Sequence, residues 1–231
     1  MKRLMVPELL DTDSGTPQEV SDSLADLRMF NRLFGGVRTM SALLREVAEQ
    51  RRLKELDWLD VAGGAGDVAT LTEDSLRRSG IIVHPVVMDR AATHLNGSHQ
   101  NICGDALALP FRDSSFDVVG SSLFVHHLLP DQLARFVAEA LRVARHAFVI
   151  NDLIRNPVHY ALALAGRAIY RSRVTRHDAP ASVRAAYTVD EVRLILERSG
   201  ASEVSVQTFY FYRMGVIAWK KQKPEPEPNT T

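Results

Sequence analysis

A glycine-rich turn between an apolar strand and a helix is the stretch of this sequence best suited to hold a ligand. Residues 59–69 read LDVAGGAGDVA, with glycines at Gly63, Gly64 and Gly66. Glycine lets the backbone turn sharply and approach a ligand where a Cβ atom would clash, and the first amides of the following helix face polar or anionic groups. The turn therefore indicates a nucleotide-cofactor site. Its GxGxxA spacing, counted from Gly64 to Ala69, is compatible with a dinucleotide.

Three further segments follow the turn in an order that extends this site. Residues 81–89, IIVHPVVMD, predict a second apolar strand that ends in Asp89. Residues 102–111, ICGDALALPF, predict a third strand that ends near Asp105, and residues 116–128 read FDVVGSSLFVHHL. An acid at the end of the second strand suits the two hydroxyls of a ribose in either class of nucleotide cofactor.

These segments, in this order and at this spacing, resemble the class I S-adenosylmethionine (SAM)-dependent methyltransferases, within them the ubiquinone/menaquinone methyltransferase-like (methyltransferase type 11) group. The resemblance implies SAM as cofactor. It also implies that Asp60 holds the methionine amino end, that Asp89 takes the ribose hydroxyls and that Asp105 meets the adenine amine. The other residues expected at the cofactor are Ala62, Gly63, Gly64, Gly66, Arg90, Ala106 and Ser122. Ala62 departs from the glycine that many members carry.

A histidine pair and an acid are candidates for proton transfer. His126 and His127 follow the fourth predicted strand, and Asp152 ends the fifth. An imidazole held by a carboxylate is a suitable base near neutral pH. Neighbouring residues in a helical turn point about 100° apart, so one histidine is expected to face the pocket. The chain is similar here to small-molecule O-methyltransferases, which implies His126 as base, Asp152 as its partner and His127 as a structural residue. A structural role for both histidines is the alternative.

The long connection after the fifth strand predicts a substrate lid over residues 153–187, with an apolar helix beside an arginine-rich loop. We expect the first part to cover a flat, partly hydrophobic acceptor and the second to hold its polar end. The residues expected to contact the acceptor are Tyr160, Leu164, Tyr170, Arg173, Arg176 and His177. The alternative is that the arginines are solvated or paired with surface acids. No HExxH-type spacing occurs, so no metal is expected.

The remaining pattern predicts an α/β fold. Helical periodicity covers residues 16–34 and 37–53, and strands alternate with helices after the glycine turn, a short helix following Asp89. The chain ends in a predicted hairpin, 204–211 and 213–219. Alternating strands and helices require a mostly parallel sheet covered on both faces. This agrees with the Rossmann-like, seven-stranded sheet of the resembled family, with an antiparallel last strand and a helical lid.

The predicted domains are an N-terminal helical cap of the cofactor cleft (1–54), a methyltransferase domain (55–220) that contains the lid, and a disordered tail (221–231). The 231 residues carry a net charge of +0, which disfavours a nucleic-acid partner. No apolar run suits a signal peptide or a membrane span, so a cytoplasmic protein is expected. The single Cys103 is expected to be buried in its strand. The oligomeric state is left open.

The preferred function is O-methylation of a phenolic or polyketide-type small molecule in secondary metabolism. C-methylation of a quinone-like precursor is the alternative, because LDVAGGAGD resembles the ubiquinone group. Two hypotheses of other classes remain. An NAD(P)-binding oxidoreductase fits the GxGxxA spacing, and a non-catalytic SAM-binding module fits because binding motifs do not prove turnover.

Overall fold

The computed structural model describes residues 1–12, 14–95 and 98–221. Its strands are β1 Glu55–Val61, β2 Ile82–Asp89, β3 Gln100–Cys103, β4 Phe116–Ser122, β5 Ala144–Leu153, β6 Glu203–Phe209 and β7 Arg213–Trp219. Its α-helices are α1 Pro17–Leu33, α2 Gly36–Arg51, α3 Asp67–Arg77, α4 Pro130–Val143, α5 Pro157–Ala165, α6 Arg173–Ala185 and α7 Val189–Arg198. Within these residues the seven strands form one sheet, in the order β3-β2-β1-β4-β5-β7-β6.

The strand order places a crevice at the centre of the sheet. Strands β1 to β5 pair in parallel, whereas β7 is antiparallel to both β5 and β6. β1 pairs with β2 on one side and with β4 on the other, so the direction in which the chain adds strands reverses there. In open α/β sheets a ligand binds at such a reversal, outside the carboxyl ends of the strands. The glycine turn follows β1 at this point.

Helices cover both faces of the sheet, as the sequence predicts. On one face α2 and α3 pack around Trp58, and on the other α4 and α7 pack around Phe136 and Phe148. The central strands are buried on both faces, and in β1 every residue from Trp58 to Val61 is buried, the acid Asp60 included. The Rossmann-like mixed sheet with an antiparallel last strand is confirmed.

A helical layer lies next to the carboxyl edge of the sheet. α1 starts with a capping box between Thr16 and Glu19, and it packs against α6, which also packs against α5. The ring of Tyr170 meets Phe30 of α1 edge-on, with 5.3 Å between ring centroids. Residues 1–12 run along α6, where the amides of Leu9 and Leu10 donate to the carboxylate of Asp178. The domain division stays a prediction, and its tail lies outside the described residues apart from Lys221.

Three local predictions are wrong. The arginine-rich part of the lid, expected to be a loop, is helical from Arg173 onward and forms α6. Cys103 is exposed rather than buried, because β3 is an edge strand that pairs with β2 alone among the described strands. The helix expected after Asp89 is absent from residues 91–95, which form isolated turns with i to i+3 hydrogen bonds. Across the described ranges, every helix is too short or too polar to cross a membrane.

Candidate active site

The glycine turn after β1 is a tight left-handed loop. Ala62, Gly64 and Gly66 have φ angles of 57°, 55° and 75°, and the last of these precedes α3. A Cβ atom on Gly63 would lie 2.8 Å from a carboxylate oxygen of Asp60, so this position has no room for a side chain. Ala62 adopts the left-handed conformation with its Cβ present, at a cost of roughly 1–2 kcal/mol. The departure from glycine at this position is therefore tolerated.

Asp89 holds this loop from the neighbouring strand. One of its carboxylate oxygens accepts the amide of Gly64 at 2.9 Å, and the other accepts the amide of Ala91 at 2.8 Å. The end of β2 is thereby fixed to the turn after β1. The carboxylate is at the crevice where the sequence predicts contact with the ribose, and that role stays a prediction.

Asp60 is a buried acid without a partner. It is fully inaccessible to solvent, and neither of its carboxylate oxygens has a hydrogen-bond donor among the described residues. Burial raises the pKa of Asp60 to about 8, and the negative charge of Asp89 contributes to this. A buried, unpaired carboxyl group beside a ligand crevice is suited to a cationic amine.

The other predicted cofactor residues line the same edge of the sheet. Asp105 is exposed and accepts the amide of Leu107 at 2.9 Å, which orders the loop after β3. The next residue, Ala106, is buried. Ser122 ends β4 and its hydroxyl accepts the side-chain amide of Asn151 at 3.1 Å. Arg90 is exposed and follows Asp89. These placements are compatible with the predicted roles, which stay predictions.

His126 lies between two carboxylates at the ends of β4 and β5. Its Nδ1 is 2.7 Å from Asp152, and its Nε2 is 3.5 Å from Glu8. Although burial opposes a charge here, Asp152 and Glu8 outweigh it and raise the pKa of His126 to about 10. The imidazole is therefore protonated near neutral pH. It cannot act as a base while Glu8 remains in this position.

His127 also faces Glu8, so the two histidines point toward the same carboxylate, and which of them faces an acceptor stays a prediction. Its Nε2 is 4.0 Å from Glu8, and its Nδ1 is 3.2 Å from Asp11. The two histidines belong to a three-residue 3₁₀ helix, Val125–His127, and their ring centroids are 4.2 Å apart. The prediction assumed an α-helical turn and could not include Glu8, which reaches both rings from the N-terminal segment.

The comparison with known proteins agrees with this architecture. The methyltransferase domain family matches residues 59–147. Residues 59–147 are thus similar to a methyltransferase domain. A ubiquinone/menaquinone biosynthesis C-methyltransferase of Methylobacterium nodulans is 31% identical over 149 residues, which are 58% of this chain and 57% of that protein. Its counterpart in Dinoroseobacter shibae is 38% identical over 101 residues, 38% of this chain and 37% of that protein.

The chain thus spans about half the length of the curated relatives it matches, or less. Among solved structures, the plantazolicin methyltransferase BamL, in complex with a triazolic desmethylPZN analogue and S-adenosylhomocysteine, has a TM-score of 0.66 at 15% identity. That likeness covers 92% of this chain and 94% of BamL, and at this identity it concerns the fold. The methyltransferase domain takes SAM as its cofactor, and the buried Asp60 beside the glycine turn fits the amine of that molecule.

The N-terminal segment of the chain contributes to the site, and sequence reasoning missed it. Arg3 donates to the backbone carbonyls of Ala185, His126 and Leu128, and its guanidinium lies 3.8 Å from the ring centre of Tyr187. Residues 1–12 therefore bridge the histidine pair and the end of α6. Nothing local in this segment indicates that role, because its partners are distant in sequence.

The predicted lid residues have partners within the chain itself. Arg173 pairs with Glu19 of α1 at 2.9 Å, and Arg176 donates to the carbonyl of Tyr170 at 3.2 Å. His177 contacts Asp178 at 2.8 Å. Arg173, Arg176 and His177, which are expected to hold the polar end of the acceptor, all lie at the surface. The pairing of Arg173 with Glu19 matches the alternative, in which the arginines are solvated or paired with surface acids, and the contact of these residues with an acceptor stays a prediction.

The apolar part of the lid is partly exposed. Tyr170 is buried and its hydroxyl donates to the carbonyl of Ala163 at 3.1 Å, whereas Tyr160 is half-buried and Leu164 is 37% exposed. The hydrogen bond from Tyr170 therefore stabilises α5. Tyr160 and Leu164 remain available to a ligand in the part of the chain that the structure describes.

Arg213 is a second residue that sequence reasoning missed. It starts β7 next to the end of β5, and it is buried. One guanidinium nitrogen donates to Asn31 at 3.3 Å, and Nη1 has no acceptor among the described residues. Burial lowers the pKa of Arg213 to about 10, against the opposing effect of Asp152. A buried cation thus lies near the histidine–aspartate pair.

Proposed function

We propose that this chain methylates a ring carbon of a small hydroxylated aromatic acceptor, with SAM as the methyl donor. The observation that carries the proposal is the 31% identity over 149 residues with a C-methyltransferase of ubiquinone and menaquinone biosynthesis. The motifs of the sequence favoured oxygen as the acceptor atom, and this relative favours carbon. A small-molecule acceptor, a cytoplasmic location and the lack of a nucleic-acid partner remain part of the proposal.

The residues of the chain would bind and orient the two reactants. A sulfonium cofactor supplies an already activated methyl group, so the protein contributes chiefly alignment, which can be worth on the order of 7–11 kcal/mol. Asp60, Asp89 and Asp105 would hold the cofactor at the ends of β1, β2 and β3. The acceptor would lie beside the ends of β4 and β5, near His126 and Asp152, because the crevice opens there.

O-methylation is the second candidate, and the 2.7 Å contact between His126 and Asp152 favours it. A hydroxyl acceptor must lose a proton, and a histidine held by a carboxylate can take it. In this arrangement Glu8 would first have to leave the Nε2 of His126. Both candidates release a proton, from the hydroxyl in O-methylation and from the methylated ring carbon in C-methylation, so they differ in which acceptor atom reacts.

Product analysis tests the proposal. The full chain would be incubated with SAM bearing a deuterated methyl group and a panel of phenols, naphthols and quinols, and the products would be analysed by NMR and mass spectrometry. C-methylation removes one ring hydrogen and leaves every hydroxyl in place, whereas O-methylation removes a hydroxyl hydrogen. Tight SAM binding without product across the panel would instead favour a non-catalytic SAM-binding module.

A further inference from the structure

Three potential metal ligands converge beside the histidine turn. His126, His127 and Glu8 each offer one ligand atom, and these three atoms all lie within 4.8 Å of one another. One oxygen of Glu8 is 3.5 Å from the Nε2 of His126, and its other oxygen is 4.0 Å from the Nε2 of His127. A tetrahedral ion with bonds of about 2.1 Å holds its ligand atoms roughly 3.4 Å apart, so a small inward movement would complete the site.

A second carboxylate contacts the Nδ1 atom of each histidine. The Nδ1 of His126 lies 2.7 Å from Asp152, and the Nδ1 of His127 lies 3.2 Å from Asp11. Metal-binding histidines almost always donate their other ring N–H to a carboxylate, a carbonyl or a water, which fixes the tautomer and the ring orientation. Here two adjacent histidines both have this support, and both direct Nε2 at the same carboxylate.

The burial and charge of the cluster also suit a cation. Side-chain exposure is 3% for His126, 11% for Glu8 and 23% for His127. Three carboxylates, of Glu8, Asp11 and Asp152, surround the two imidazoles. A divalent cation here would replace the proton that His126 carries and would balance the largely buried carboxylates of Glu8 and Asp152.

We propose that Glu8, His126 and His127 bind one divalent transition-metal ion. Two imidazoles and one carboxylate suit Zn²⁺, Co²⁺ or Fe²⁺ better than Mg²⁺ or Ca²⁺, which prefer oxygen ligands. Three protein ligands leave at least one coordination position for water or another oxygen donor. The ion would also fasten the N-terminal segment, which carries Glu8, to the end of β4. Sequence spacing gave no sign of this site, because Glu8 is far from the histidines along the chain.

Metal titration of the full chain tests this proposal without any methyl transfer. Protein without a histidine tag would be stripped with a chelator and titrated with Co²⁺, followed by visible absorption, and with Zn²⁺, followed by calorimetry. We expect one ion per chain. Glu8→Gln and His127→Ala should each weaken binding by more than about 100-fold, and Asp11→Asn by about 10–100-fold.

Two control variants match these changes. Glu55→Gln changes an exposed acid at the start of β1, at the opposite end of the strand from the glycine turn. His84→Ala removes an exposed histidine that lies 3.8 Å from Glu55 at the surface. Both controls should bind the ion like the wild type, and saturating Zn²⁺ should raise the melting temperature of the wild type and of both controls.

Two results would overturn the proposal. One is a wild-type chain that binds neither Zn²⁺ nor Co²⁺ in a 1:1 ratio. The other is a Glu8→Gln or His127→Ala variant that binds the ion as tightly as the controls do. If circular dichroism shows that Glu8→Gln does not fold, Asp11→Asn decides the question, because Asp11 is half exposed and its loss leaves the three ligands in place.

Discussion

The carboxylate of Asp89 accepts a hydrogen bond from the amide of Gly64 at 2.9 Å, which ties the end of β2 to the turn after β1. The same carboxylate accepts the amide of Ala91, so both of its oxygens take part in shaping the crevice. An acid that the sequence identifies as a ligand contact is therefore also a support of the glycine turn. Its substitution should affect both the shape of the turn and the binding of the cofactor.

Asp89→Ala should weaken SAM binding by at least about tenfold. Each hydrogen bond that a carboxylate makes contributes roughly 1.5–3 kcal/mol, and the variant loses the ribose contact together with the anchor of Gly64. Isothermal calorimetry with SAM measures the change. Asp74→Ala, which removes an exposed acid of α3 paired with Arg77, is the control and should leave the affinity as it was. Equal SAM affinity in wild type and Asp89→Ala would remove Asp89 from the cofactor site.

Gly63→Ala should destabilise the fold by about 1–3 kcal/mol and reduce SAM binding, because the added Cβ lies 2.8 Å from Asp60 and 2.9 Å from Val87. Gly80→Ala is the control for an added methyl group that meets no neighbouring atom. Gly80 has a φ of 80° and nothing within 4 Å of the added atom, so it tests backbone strain without a clash. Chemical denaturation gives both free energies of unfolding. If Gly80→Ala loses SAM binding as well, the loss in Gly63→Ala is not specific to the glycine turn at the cofactor site.

The sheet and its cofactor edge could be predicted because their signals are local. β4 and β7 occupy Phe116–Ser122 and Arg213–Trp219, the ranges that the sequence predicts, since each is an apolar run with turn residues at its ends. Asp60 and Asp89 meet because both lie at the carboxyl ends of neighbouring parallel strands. Once the strands are recognised, their parallel arrangement places these two acids near each other.

The surroundings of the histidine pair could not be predicted, because they come from distant segments. Glu8 and Asp11 lie in a segment without helical or strand periodicity, and their contacts with His126 and His127 arise only when residues 1–12 fold over the lid. The pairing of Arg173 with Glu19 is equally long-range. A single sequence gives the residue types for such contacts but not their partners.

Arg3→Ala should lower the free energy of unfolding by about 1–3 kcal/mol. The variant loses donors to three backbone carbonyls and the packing of the guanidinium on Tyr187. Arg3→Lys should restore only part of the loss, since one ammonium group cannot reproduce the planar arrangement of donors. Thermal or urea denaturation measures both, with Lys2→Ala, an exposed neighbour, as the control. A stability of Arg3→Ala equal to that of Lys2→Ala would show that the N-terminal segment is not anchored in solution.

Asp60→Asn should change how the stability of the cofactor-free protein depends on pH. An unfolded aspartate has a pKa near 3.9, whereas burial raises the pKa of Asp60 to about 8. Between these values the folded state holds a proton that the unfolded state releases, so the contribution of Asp60 to stability is fully present below about pH 4 and decreases as the pH rises, by up to about 1.4 kcal/mol per pH unit. Above about pH 8 the decrease ends.

Urea denaturation of wild type and Asp60→Asn from pH 4 to 9 isolates this effect, because the asparagine variant lacks the titrating group while the other acids are shared. The stability difference should shift steadily in favour of Asp60→Asn up to about pH 8, and Asp74→Asn should follow the wild type. A stability difference that stays constant over this range would mean that Asp60 is already ionised in the folded protein and has found a partner, which would also remove the reason for its attraction to the amine of SAM.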